Sequence, residues 1–222
     1  MKPSTLVLRS FLVLLAAAIS TAAQAGGVHA TAEAIDNRYN HLRSLQADFA
    51  EIYRGVGIER EESGTVWLKK TGKMRWEYRS PTQKLFLCNG TEAWLYVPGE
   101  SQARRTAQRR LDDLRSPLAF LIGKTRLERE LQGLSFAPDV PPLTSGNQVL
   151  RGIPKALAGQ VSQVLLEVSP DHWIVRIVLE GEDGSTTEYR FSNPRANLEI
   201  ANQFFELKVP AGVEIVDDGF EP

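Results

Sequence analysis

Hydrophobic and polar residues alternate over much of this chain. Met74, Trp76 and Tyr78 occupy every second position, and charged residues stand between them. A period of two predicts a β-strand with one apolar face. The same alternation, or a short run rich in branched and aromatic residues, predicts strands over 65–70, 83–88, 93–97, 161–168, 173–180, 187–191 and 205–209. Turn residues such as Gly, Asn and Pro separate these segments, so the pattern predicts a meandering antiparallel sheet that curls.

Two segments have the period of a helix instead. Over 30–45, apolar residues recur at spacings of three and four, which predicts an amphipathic helix. The same spacing recurs over 108–123, where Pro117 suits the first turn of a second short helix. We expect these helices to roof the open side of the curled sheet. Three prolines and a glycine predict that 138–146 is a surface loop.

One predicted strand is apolar on both faces. Leu85 and Leu87 lie on one side of the strand over 83–88, and Phe86 and Cys88 lie on the other. Both faces are buried only if something covers each of them. Ordinary core packing, a roofing helix or a bound ligand would each provide such a cover.

The first 25 residues have the three parts of a secretory signal peptide. Lys2 and Arg9 give a positively charged start, 11–19 is an apolar run, and Ala-Gln-Ala at 23–25 is a cleavage site. Cleavage after Ala25 would leave one domain over 26–222 that works outside the cytoplasm. A membrane anchor is the alternative, although this apolar run is too short to span a bilayer.

Composition removes several kinds of chemistry. The chain of 222 residues has 26 basic and 27 acidic side chains, so no basic excess indicates a nucleic acid partner. One cysteine excludes a disulfide framework, and the three histidines show no metal-ligand spacing. The sequence also has no nucleophile elbow and no Gly-rich phosphate loop. We therefore expect no enzyme, no cofactor and no metal, and Cys88 to be either a buried small apolar residue or a spare thiol.

Several motifs resemble a known family. GTVWLKK at 64–70, MRWEY at 74–78 and NGTEAWLY at 89–96 resemble the periplasmic outer-membrane lipoprotein carrier proteins of Gram-negative bacteria, the LolA family. SPLAFLI at 116–122 resembles the lid segment of that family, and PAGVEIVD at 210–217 resembles its C-terminal ending. The motifs occur in family order along the chain.

The resemblance implies a mainly β fold with some α-helix, namely an incomplete, unclosed antiparallel β-barrel with a lid of short α-helices. It also implies a monomeric carrier that receives acylated lipoproteins from an inner-membrane ATP-driven releasing complex. The carrier would take their acyl chains across the periplasm to an outer-membrane acceptor lipoprotein. A carrier of another lipid and a sensor of mislocalised lipoproteins remain alternatives, because a shared fold alone does not fix a function.

The resemblance also implies roles for single residues. Met74 matches a position that engages the inner-membrane complex. Lys70 matches a family arginine of lid closure and transfer, and lysine lacks the planar fork of donors that arginine offers. Lys70 is therefore either a lid-closing residue or a solvated charge at a strand end. The lipid-binding cavity would be lined by Tyr39, Trp76, Phe86, Leu118 and Leu121.

Overall fold

The computed structural model describes residues 27–70, 72–107 and 126–217. Helix α1 covers 27–41, and α2 is the single turn Leu127–Glu130. Short 3-10 helices cover Lys155–Leu157 and Asn202–Phe205. The strands are β1 (Ser44–Gly55), β2 (Ile58–Lys69), β3 (Lys73–Ser80), β4 (Lys84–Cys88), β5 (Glu92–Tyr96), β6 (Gln102–Ala107), β7 (Leu131–Phe136), β8 (Gln148–Pro154), β9 (Val161–Val168), β10 (Ile174–Gly181), β11 (Thr186–Ala196) and β12 (Glu214–Asp217).

All twelve strands form one sheet, in the order β12-β6-β5-β4-β3-β2-β1-β11-β10-β9-β8-β7. Neighbouring strands are antiparallel except β12, which pairs parallel to β6. In the described part of the chain, β7 and β12 are the two edges and do not pair with each other, so the barrel is not closed. This confirms the predicted mainly β, unclosed fold. The lid helices predicted over 108–123, with Leu118 and Leu121, lie outside the described residues.

Helix α1 packs on one face of the sheet, which we call the inner face. Val28, Ala32, Ile35 and Tyr39 are buried at spacings of four, three and four, which places them on one side of the helix. They join one core cluster with residues from β1–β5 and from β7–β10. Because that cluster unites both halves of the sheet, the sheet curls around it.

The helix prediction over 30–45 is wrong at its C-terminal end. The helix stops at 41, and Ser44 and Leu45 begin β1, a strand of twelve residues that the sequence pattern did not predict. Leu45 fits the helical spacing by coincidence, because it lies on the inner face of β1. Glu51 hides the alternation of β1, since it is a charged residue at a position that faces the same side as Phe49.

The strand predicted over 205–209 is also wrong. The segment begins in a 3-10 helix and then continues as irregular chain. Its alternation is real, because Phe205 is buried and Leu207 is half-buried, whereas Glu206 and Lys208 are exposed. The period of two arises from packing against the sheet and involves no strand pairing. The predicted loop over 138–146 is confirmed, since 137–147 contains no helix or strand.

This segment explains why β4 is buried on both faces. Phe204 packs against Trp67 at 5.2 Å between ring centroids, and the Arg75 guanidinium lies 4.6 Å from the Phe204 ring. Leu87 is the register partner of Arg75 and therefore shares this outer face, where it is fully buried. Cys88 lies on the inner face and is also buried. The outer cover is thus a piece of the same chain, the connection between β11 and β12.

Candidate functional site

The inner face carries a layer of aromatic side chains centred on Trp76. Phe49 lies 4.7 Å from Trp76 between ring centroids, and Phe49 also contacts Tyr78 at 4.9 Å. Tyr189 and Phe191 of β11 lie 6.0 and 6.4 Å from Trp76. The contacts are edge-to-face, which is a favourable arrangement of aromatic rings. Five rings from β1, β3 and β11 therefore fill the middle of the curled sheet.

The Trp76 indole is an exception to the usual pairing of buried polar groups. Trp76 is 2% exposed, and its Nε1 has no acceptor among the described residues. A buried donor without a partner costs about 1–3 kcal/mol. The indole N–H is therefore available to an acceptor that enters this layer.

A polar cluster closes the layer toward the turn of the β1–β2 hairpin. The Tyr78 hydroxyl donates to Glu51 Oε2 at 2.7 Å, and Lys84 Nζ lies 2.7 Å from Glu62 Oε2. Lys84 Nζ also lies 4.0 Å from the Tyr78 ring centroid. Burial, reinforced by the charge of Glu51, raises the pKa of Tyr78 and also that of Tyr189. Both tyrosines therefore stay neutral donors at physiological pH.

Tyr39 connects α1 to the start of β10, in the other half of the sheet from Trp76. Its hydroxyl accepts a hydrogen bond from the Ile174 backbone N–H at 3.0 Å, and its ring meets Trp173 edge-on at 5.8 Å. Burial raises the pKa of Tyr39. Beside it lies a cavity of only about 20 Å³, lined by Tyr39, Leu45, Ala47, Val66, Trp173, Ile174, Val175, Phe191 and Pro194. Ligand pockets usually measure about 300–1,000 Å³, so α1 and the aromatic layer occupy this space themselves.

Polar contacts hold both ends of α1. At its C-terminal end the Lys70 ammonium donates to the Asn40 carbonyl, which suits the negative end of a helix dipole. Asp36 accepts from the Leu127 N–H at 3.1 Å, and burial raises the pKa of Asp36. Near the N-terminal end, His29 Nδ1 lies 2.9 Å from Glu128. Lys70 is exposed, yet it contacts the helix that covers the inner face.

The structure brings together most of the described residues that the resemblance singled out. Trp76 and Phe86 are register partners on the inner face. Met74 lies two residues before Trp76 on the same face of β3 and is 8% exposed. Tyr39 faces the same interior from α1. Phe49 belongs to this layer but was missed, although the alternation of β1 from Leu45 onward could have indicated it.

The described residues contain no group of three or more His, Cys, Asp or Glu side chains placed to hold a metal ion. In the same part of the chain, no helix has the length and apolarity to cross a membrane.

A family model described as "Outer membrane lipoprotein carrier protein LolA" matches residues 40–208. The chain belongs to the LolA family. Similarity to curated LolA-family relatives covers most of the sequence. An outer-membrane lipoprotein carrier protein of Methylococcus capsulatus is 28% identical over 179 residues, which are 79% of this chain and 82% of the relative. One from Chromobacterium violaceum is 27% identical over 206 residues, which are 93% of this chain and 97% of the relative.

A solved structure shares the fold at low sequence identity. It is an uncharacterized conserved protein of Thermus thermophilus, with a TM-score of 0.54 and 13% identity. The similarity covers 85% of this chain and 97% of that protein. At this level of identity the likeness shows the unclosed sheet and nothing about function.

Proposed function

We propose that this LolA-family chain is a carrier of lipoproteins that holds their acyl chains against the inner face of the sheet. The observation that carries the proposal is the aromatic layer under α1, in a chain whose family is named for lipoprotein carriage. Each buried CH₂ group contributes about 0.8 kcal/mol, so an acyl chain of about sixteen carbons represents roughly 12 kcal/mol of transfer from water. A protein that carries such chains through water needs an apolar interior.

A carrier must also release what it holds. Trp76 packs on Phe49, and the cavity beside Tyr39 of α1 measures only about 20 Å³. Acyl chains would replace these existing contacts, so their net binding free energy is smaller than the transfer value. The unpaired Trp76 N–H adds a donor for an ester carbonyl of the cargo.

We propose a role for each residue that the family resemblance singled out. Tyr39, Trp76 and Phe86 line the acyl-chain site, and Leu118 and Leu121 cover it from the lid. Lys70 retains α1 in the closed position through its bond to the Asn40 carbonyl. Met74 contacts the inner-membrane partner once α1 has moved, since its side chain is buried in the core cluster that includes α1.

Transport implies a route and a compartment. We infer that a signal peptide over 1–25 directs the single domain over 26–222 to the periplasm. There it would receive cargo from an ATP-driven complex of the inner membrane and deliver it to an acceptor lipoprotein of the outer membrane. The described residues suggest a carrier and no catalytic centre.

Binding of a triacylated lipopeptide to the purified protein tests this proposal. We expect saturating lipopeptide to raise the melting temperature by a few degrees, and the same peptide without acyl chains to have no effect. Leu121→Glu should weaken binding about tenfold or more, because a charge would enter the acyl site. Leu143→Glu is the matched control, since Leu143 is an exposed leucine in the loop after β7.

Two results would contradict the proposal. Failure to bind any acylated peptide or apolar fluorescent probe would remove the carrier function. Mass spectrometry of ligand that copurifies from the periplasm could instead find a free glycolipid or isoprenoid, and this would favour the alternative of a carrier or sensor for another lipid.

A further inference from the structure

The tip of the β1–β2 hairpin, which consists of Gly55, Val56, Gly57 and Ile58, exposes apolar side chains to solvent. Val56 is 91% exposed and Ile58 is 63% exposed, the two highest values among the large exposed hydrophobic residues of the described chain. Neither side chain belongs to a core cluster. Single exposed apolar residues are common, but two at one turn form a small patch.

The backbone of the tip is strained at Val56. Gly55 pairs with Ile58, and both residues between them have positive φ, 47° at Val56 and 76° at Gly57. This two-residue turn is most often Asn-Gly or Asp-Gly, because those residues adopt positive φ at low cost. A β-branched residue there is an outlier, and such outliers concentrate at functional positions. The tip therefore retains an apolar side chain at the expense of favourable turn geometry.

The start of β2, which leads away from the tip, carries charged side chains, whereas the tip itself is apolar. β2 first pairs with β3 at Ser63, so Ile58–Glu62 has no strand partner on that side among the described residues. Three of these five residues are charged and well exposed, Glu59, Arg60 and Glu61. Charged residues on a free edge prevent pairing with other strands. The apolar tip is thus distinct from the polar edge around it.

The charges around the tip are mainly negative. Its two arginines are engaged, Arg54 with Glu59 at 3.3 Å and Arg60 with Glu62 at 3.3 Å. Glu61 is exposed and forms no ion pair within the described residues. Glu182 and Asp183 lie in the β10–β11 turn, whose Ser185 approaches Gly55, and they likewise form no ion pair in that part of the chain. Segments that insert into bilayers usually carry a basic polar face, so this charge favours a protein partner.

We propose that the hairpin tip docks into an apolar pocket with a basic rim on a protein that exchanges cargo with this chain. Val56 and Ile58 are the anchors, and the surrounding carboxylates meet the basic rim, in the usual arrangement of an apolar contact inside a polar ring. This inference rests on the proposed function in one respect, namely that the partner is a protein that exchanges cargo with this chain. It adds an interaction surface on the outside of the molecule, away from the acyl-chain site.

Val56→Asn is the decisive variant. Asn adopts positive φ readily, so this substitution should preserve or raise the melting temperature while it removes the apolar anchor. Ile58→Thr removes the second anchor and keeps a β-branched residue in the strand. Leu143→Asn is the control, because it deletes an exposed apolar side chain elsewhere on the surface.

The measurements are the affinities for the purified periplasmic domains of the releasing complex, for the purified acceptor, for vesicles of phosphatidylethanolamine and phosphatidylglycerol, and for triacylated lipopeptide. We expect Val56→Asn and Ile58→Thr to weaken binding to at least one protein partner by about tenfold. Lipopeptide affinity should stay within about twofold, and Leu143→Asn should change neither affinity.

Unchanged affinity of Val56→Asn for both proteins overturns the inference, and so does a wild-type chain that binds lipopeptide but neither protein. A loss confined to vesicles means that the tip contacts the bilayer instead, which also overturns it. A loss of lipopeptide affinity in the tip variants would place the tip in the cargo site and likewise overturns the inference. Failure of the wild-type chain to bind lipopeptide contradicts the proposed function separately, because the lipopeptide assay does not involve the tip.

Discussion

Glu167 is a fully buried carboxylate on the outer face of β9. It accepts hydrogen bonds from the Leu143 N–H at 2.9 Å, the Thr144 N–H at 3.2 Å and the Asn147 side-chain amide at 2.7 Å. It also lies 3.4 Å from the Arg176 guanidinium. One side chain therefore fixes the loop over 138–146 on the sheet, which explains how a loop rich in proline can cover β8–β10.

Replacement of Glu167 by Gln should lower the free energy of unfolding by about 3 kcal/mol. The amide that replaces one oxygen would face N–H donors, and Arg176 would keep Glu188 as its only carboxylate partner among the described residues. Urea titration measures the change. Asp139→Asn is the control from the same loop. Asp139 is an exposed carboxylate that pairs with Arg151, so this variant should change stability much less than Glu167→Gln. Equal effects of the two variants would contradict this interpretation of Glu167.

At the scale of an element, α1 is held by few polar contacts at its exposed side. The hydrogen bond from His29 to Glu128 raises the pKa of His29 above its ordinary value of 6.5, and the charge of Glu33 acts in the same direction. A raised pKa means that the folded state favours protonated His29. The stabilisation is therefore complete below about pH 6.5 and is lost as the pH rises through the folded-state pKa.

This predicts that α1 loosens from α2 as the pH rises. Hydrogen-exchange protection factors of α1, corrected for the intrinsic effect of pH, should fall as the pH rises above about 6.5 and through the folded-state pKa of His29. His29→Gln should remove this pH dependence and leave protection of β9 unchanged. If the variant retained the same pH dependence, another group would be responsible.

At the scale of the whole molecule, the described sheet is unclosed and curls around an interior that contains α1. The sheet ends in separate edges at β7 and β12, and α1 occupies the space between the two halves of the core. A cavity of about 20 Å³ leaves no room for an acyl chain unless α1 moves. Under the proposed function, cargo binding at the inner face therefore requires α1 to be displaced.

Loading with triacylated lipopeptide should accordingly reduce hydrogen-exchange protection in α1, while the central strands β1, β2 and β9 keep theirs. The same peptide without acyl chains is the control and should leave α1 unchanged. Unaltered or higher protection of α1 in the loaded protein would show that acyl chains bind elsewhere.

The hydrophobic pattern predicted the secondary structure correctly where that structure depends on residues adjacent in sequence. The period of two located strands such as β3 and β10, and turn residues located the loop over 138–146, because both depend on a few adjacent residues. The pattern failed where a residue makes its main contact with residues far away in the sequence. Glu51 accepts a hydrogen bond from Tyr78, and its charge interrupts the apolar alternation of β1, so this strand was not predicted. Phe205 packs on the outer face, and its burial gave a period of two where no strand forms.

The amino-acid sequence alone was enough for the mainly β class, the family motifs and the supply of aromatic side chains. Which face those side chains share, that α1 fills the interior, and that a strained valine stands exposed at the hairpin tip became visible only in three dimensions. The physical reason is the range of the contacts. The bond from the Ile174 N–H to Tyr39 joins residues 135 positions apart, and no local period encodes such a contact.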